Sequence, residues 1–235
     1  MTFPIQALLG GIAFGLLAIY LLAPMASSIL RRLNQQWARE VDAYLYSEQH
    51  CSPPKDDNLP ATARLCLGAT SAILGSAVMA QYGLTIEGLG IGLYFASVLL
   101  LTTINIQSRL LPDMIVFPSL WLGLLYHAYT GMSTEHIYGA VVAYLIPYLL
   151  VTFLQRAQER RLMGNGDFKA MAMAGAWLGL NALPTFITGF ALGLALWSLI
   201  QLCLHKTFRL QVSTGPAHLS GAIAATFGTQ ISQLF

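Results

Sequence analysis

Met163-Gly164-Asn165-Gly166-Asp167-Phe168-Lys169 leads from a basic segment into the apolar run Ala170 to Leu180. It places a carboxylate and two glycines where a loop enters a hydrophobic helix. An ionisable group at the mouth of a membrane helix is costly to desolvate, which by itself points to function. A purely structural alternative stands beside it. Asp is a favoured helix cap, and Gly164 and Gly166 would then only shape the turn.

The rest of the chain decides the setting. Of its 235 residues, 56% are hydrophobic and 9% charged. A soluble domain carries about a quarter charged residues, so the composition is that of a polytopic membrane protein. Cys51, Cys66 and Cys203 are scattered, with no CxxC pair, and indicate neither a zinc site nor a disulfide framework. The first apolar run lacks a basic flank and is long enough to span, so it does not read as a cleavable signal peptide.

Apolar segments of about 17 to 25 residues can cross a bilayer as helices. They fall near 4–28, 65–82, 88–107, 114–130, 136–155, 168–181, 184–204 and 217–234. The expected fold is therefore an all-α membrane helix bundle of about eight spans, forming a single membrane domain over 1–235. All twelve Lys and Arg lie on one face of that arrangement. The connections around Gln81–Glu87, Gly131–Glu135 and Asn181–Pro184 carry none. By the positive-inside rule the basic loops are cytoplasmic and both termini lie outside. The one long polar piece, 31–60, reads as a cytoplasmic connector, with a short amphipathic helix expected over Gln35 to Gln49. The basic residues follow topology and form no nucleic-acid surface.

Asn105-Ile106-Gln107-Ser108-Arg109-Leu110-Leu111-Pro112-Asp113 lies on the same expected face as Asp167. Two carboxylates across a membrane-edge cleft can share a proton and activate a water between them, one as base and one as acid. Glycines beside Asp167 would let backbone and substrate approach closely. Asp113 also suits a cap after Pro112. Lys169 is placed to steady the Asp167 carboxylate, to touch substrate backbone or to snorkel to headgroups.

These residues resemble a known family. Gly164-Asn165-Gly166-Asp167-Phe168-Lys169, followed by Ala172 to Gly179, is similar to the GxGD signature of type IV prepilin peptidases. Leu110-Leu111-Pro112-Asp113, with Pro118 and Trp121 to Leu124, resembles their other signature. The likeness covers about 90–205, the expected GxGD peptidase core. It implies an intramembrane aspartic endopeptidase of the bacterial cytoplasmic (inner) membrane, with its active site at the cytoplasmic face. Such enzymes cut the basic leader of type IV pilins and type II secretion pseudopilins after a glycine. The partners implied are a prepilin or pseudopilin, bound through leader and N-terminal helix, and the membrane lipid. Peptide cleavage by a carboxylate dyad requires no cofactor and no metal.

The resemblance places the second catalytic aspartate at Asp167 and the first at position 105, where this chain has Asn105. Asn has nearly the shape of Asp but takes no proton from an attacking water. The chain is therefore expected to bind substrate yet cleave poorly or not at all. Three explanations stand in order: an introduced Asp-to-Asn change that traps an inactive enzyme, a naturally inactive homologue, and a role for Asp113 as the true partner of Asp167. The amino-terminal third departs as well. It has neither the GSFLNV-like stretch nor the paired CxxC insertion of many members. That puts N-methylation, and with it S-adenosylmethionine, in doubt.

Two other functions compete with the peptidase. A leader-binding subunit without catalysis would keep the recognition and lose the chemistry. A small proton-coupled transporter using Asp167 would show acids near mid-membrane and usually an internal repeat, and neither is apparent. His127 and His136 read as interfacial.

Overall fold

The computed structural model describes residues 3–44, 59–158, 163–205 and 212–231. Every regular element among them is a helix. The chain divides into two compact units, Met1–Leu84 and Thr85–Phe235.

The first unit holds α1 (Phe3–Leu17), a π-helical turn (Ala18–Leu22), α2 (Ala23–Tyr44) and α3 (Ala61–Tyr82). The π turn has a local cause. Pro24 has no N–H to donate, and Ala23 N–H reaches back five residues to Ala18 O. The first apolar segment thus runs without a break into α2, so the first part of the expected connector is helix through Tyr44. Residues 45–58, including the end of the expected amphipathic helix, lie outside the described residues. Ser71 Oγ donates to Phe14 O at 3.0 Å and ties α3 to α1.

The second unit holds α4 (Ile86–Ser108), α5 (Asp113–Tyr129), α6 (Ser133–Gln158), α7 (Asn165–Leu178), α8 (Leu183–His205) and α9 (Gly215–Ile231). Thr85 starts α4 by accepting the Gly88 N–H on its side chain at 3.0 Å. Arg109 stops it in a left-handed conformation, φ 57°, which a residue with a Cβ adopts only at some cost.

At the centre stands α7, with Asp167, Phe168 and every residue from Ala170 to Trp177 buried. It packs on α5, α6 and α9. Its approach to α6 is backbone on backbone: a Cβ on Gly175 would lie 2.3 Å from Gly139 O. At its far end His136 Nδ1 lies 3.1 Å from Ala176 O, and His127 Nε2 lies 3.1 Å from Trp177 O. The two histidines close the last carbonyls of this buried helix.

Each of the eight apolar segments is helical over most of its described residues, and the protein is an all-α, multi-pass membrane bundle. Ile5–Gln36, Ala61–Tyr82, Ile86–Ser108, Ser133–Arg156 and Leu183–Cys203 are long and apolar enough to cross a membrane. The other three, α5, α7 and α9, have 17, 14 and 17 residues. At 1.5 Å per residue α7 spans about 21 Å, less than the ~30 Å hydrocarbon layer. Leu145, Leu149 and Phe153 on α6 and Leu192, Leu196 and Leu199 on α8 are exposed, as lipid-facing side chains are.

Candidate active site

Asp167 is the third residue of α7, and its side chain divides its work. Oδ2 accepts the backbone N–H of Gly164 at 3.1 Å, closing the first turn. The capping alternative is therefore half right, with Gly164 in the cap position and Asp167 bonding back to it. Oδ1 is left for other partners. It accepts a very short hydrogen bond from Thr214 Oγ1, and His218 Nε2 stands 3.5 Å away. Gly166 lies against the chain before α5, where a Cβ would sit 3.1 Å from that of Leu111.

Asn105 lies one turn from the end of α4 and is 2% exposed. Its Oδ1 accepts from Ser213 Oγ at 2.7 Å and from Gly215 N at 2.7 Å. Its Nδ2 donates to Leu110 O at 3.4 Å, a long contact. The left-handed Arg109 lets the chain turn back so that Leu110 O faces this amide. Thr102, also on α4, donates to Gly215 O at 3.0 Å.

One tripeptide therefore serves both positions. Ser213 and Gly215 bond Asn105, while Thr214 between them bonds Asp167. Gly215 is confined there, since a Cβ would lie 2.8 Å from Thr102 Cα and 3.1 Å from Asn105 Cβ.

The other acid goes elsewhere. Both carboxylate oxygens of Asp113 accept from Lys169 Nζ, at 2.7 and 2.9 Å. Asp113 is the first residue of α5, with Pro112 in the cap position, where its charge also favours the helix N-terminus. Lys169 lies over the Phe117 ring, 5.2 Å from its centre. Lys169 thus steadies Asp113 and not Asp167.

Asp167 lies just ahead of the apolar segment of α7. Burial pushes its carboxyl up. The nearby His218 imidazole, with the bonds from Thr214 and Gly164, more than offsets that, and the group settles below the ordinary carboxylate value.

Sequence reasoning passed over Ser213, Thr214, Gly215 and His218. A signal was present: polar residues and Gly215-Pro216 open an apolar helix on the same expected face as positions 105 and 167. His218 is also an ionisable residue within that apolar run.

Residues 92–203 match the Type IV leader peptidase family. Through this region the chain is similar to that family. Relatives named prepilin leader peptidase/N-methyltransferase include one from Escherichia coli K12, 34% identical over 53% of this chain and 56% of its own length. One from Pectobacterium carotovorum is 35% identical over 64% of this chain and 61% of its own length. One from Dickeya chrysanthemi is 29% identical over 79% of this chain and 80% of its own length. The chain spans less than two thirds of the length of the first two. No solved structure matches it. The leader peptidase match ends before α9, so the tripeptide that ties positions 105 and 167 lies outside it.

Proposed function

We propose that this chain carries a prepilin leader peptidase site in which Asp167 is the working carboxylate and position 105 that of its partner. The Ser213-Thr214-Gly215 clamp on both side chains carries this reading. In the two-carboxylate reaction, Asp167 takes a proton from water as its oxygen attacks the scissile carbonyl. A neutral carboxylic acid at 105 hydrogen-bonds the carbonyl oxygen. When the C–N bond breaks, the proton held by Asp167 passes to the leaving amine.

Asn105 offers the hydrogen bonds of a neutral carboxylic acid, one accepting oxygen and one donating group, but exchanges no proton. Hydrolysis by the chain as written is accordingly slow or absent. The substrate is a type IV pilin or pseudopilin, met in the bacterial inner membrane with its basic leader on the cytoplasmic side. The one-sided Lys and Arg distribution supports that orientation. Peptide cleavage uses no cofactor, and S-adenosylmethionine-dependent methylation is not part of the proposal.

The test is Asn105→Asp in membranes given a panel of prepilins, with leader removal read by product mass. Gain of cleavage supports the proposal. An inert Asn105→Asp that still captures leaders would favour a second reading, a leader-binding subunit without catalysis. The fully hydrogen-bonded Asn105 oxygen is the observation consistent with that reading.

A further inference from the structure

We infer that His218 is the counter-group of Asp167, a positioning residue that holds it ionised where this chain lacks a second carboxylate. The inference rests on the peptidase reading for its meaning and on geometry for its substance. His218 lies in the first turn of α9 and is 6% exposed. Its Nε2 is buried with no hydrogen-bond partner, and the polar atom it faces is Asp167 Oδ1 at 3.5 Å. A buried nitrogen left in that state is costly unless it bears charge toward a carboxylate.

The surroundings leave little else for the imidazole to do. From α8 come the rings of Phe190 and Phe186, 4.9 and 6.3 Å from its centre. From α4 comes Tyr94, which lines the same small apolar cavity and whose buried hydroxyl is also unpartnered. Among the described residues, Asp167 from α7 and Tyr94 from α4 are thus the titratable groups set against His218. Tyr94 offers a neutral hydroxyl and Asp167 a carboxylate oxygen at 3.5 Å, so the pairing is with Asp167.

The arrangement answers a problem that Asn105 creates. Two neighbouring carboxylates regulate each other by sharing one proton. An amide at 105 shares none, and Asp167 would stand alone in a desolvated site that favours its neutral form. An imidazole nitrogen 3.5 Å away, presenting a proton to Oδ1, restores the bias toward the carboxylate.

The state of Asp167 can be read without catalysis, by infrared difference spectroscopy of the full chain in lipid. Carboxyl-labelled Asp would be used, with Asp167→Asn subtracted to isolate the band. His218→Leu and His218→Gln are compared with the chain as written, Gln keeping a polar side chain should Leu fold poorly. The midpoint for loss of the carboxylate band should rise by about one to three pH units in both variants, the range for removing a close opposite charge. An unmoved midpoint in folded His218→Gln overturns the inference. In the Asn105→Asp background, the acid limb of the cleavage profile should move upward with the same substitutions. A shifted midpoint with no cleavage by Asn105→Asp would leave the inference standing and sink the peptidase reading. Cleavage with an unshifted midpoint would do the reverse.

Discussion

Asn105 and Asp167, on α4 and α7, are hydrogen-bonded to consecutive residues of one short stretch of chain: Ser213 and Gly215 hold the first and Thr214 holds the second. Two side chains 62 positions apart in sequence are thereby fixed to one template. The template belongs to neither helix, so disturbing it should affect both positions together.

Removing the Thr214 hydroxyl tests that template. Thr214→Val should cost about 1 to 3 kcal/mol, because it leaves a buried carboxylate oxygen short of a donor. Ser213→Ala should cost about 1 kcal/mol, since Gly215 N still bonds Asn105. Urea unfolding followed through tryptophan fluorescence in mild detergent would measure both.

Asp167 links stability to pH. Its folded pKa is lowered, so its contribution is fully present above the unfolded value, about 3.9, and fades as pH falls through the folded value. Thermal scans from pH 7 down to pH 3 should lose stability more steeply in the parent chain than in Asp167→Asn. Parallel curves would contradict this.

Position 105 predicts a base-side limit for the restored enzyme. Leu110 O faces the donating end of Asn105 at 3.4 Å. A carboxylate there would set oxygen against oxygen unless it kept a proton or turned away. Cleavage by Asn105→Asp should therefore be bell-shaped in pH, falling on the alkaline side as the introduced carboxyl group ionises. A plateau extending to high pH would argue against an acid role for this position.

The Asp113–Lys169 pair is partly exposed, with side chains 52% and 28% accessible. Solvent screening limits its worth to about 1 kcal/mol or less. Lys169→Met and Asp113→Asn should each change stability little and fail to add when combined. Gly175→Ala is the contrasting case: its Cβ would meet Gly139 O at 2.3 Å, and a cost of about 1 to 3 kcal/mol or more is expected.

The segments of the fold were legible because a membrane helix must be a sustained apolar run, and each of the eight runs is helical over most of its described residues. Their status as spans was less legible. Length and hydropathy alone do not identify α7, whose 14 mostly small residues serve burial inside the bundle more than contact with lipid. Asp167 could be found because glycines and a charge interrupt hydrophobicity. Position 105 came from the family resemblance, which sets the first aspartate eight positions before Asp113. The roles of Lys169 and Asp113 were not settled by sequence, since ion pairing between α5 and α7 depends on a contact that neither segment encodes alone. Ser213 to Gly215 escaped for the same reason. They act by meeting two distant side chains, and the polar run before α9 looks locally like a simple helix start.

The most direct measurement compares three proteins acting on one prepilin, with leader removal quantified by mass spectrometry: Asn105→Asp, Asn105→Asp with Asp167→Asn, and Asn105→Asp with Asp113→Asn. The first should cleave, the second should lose about 100-fold or more of that rate, and the third should retain most of it. Loss of cleavage in the Asp113→Asn protein with retention in the Asp167→Asn protein would contradict the pairing of positions 105 and 167.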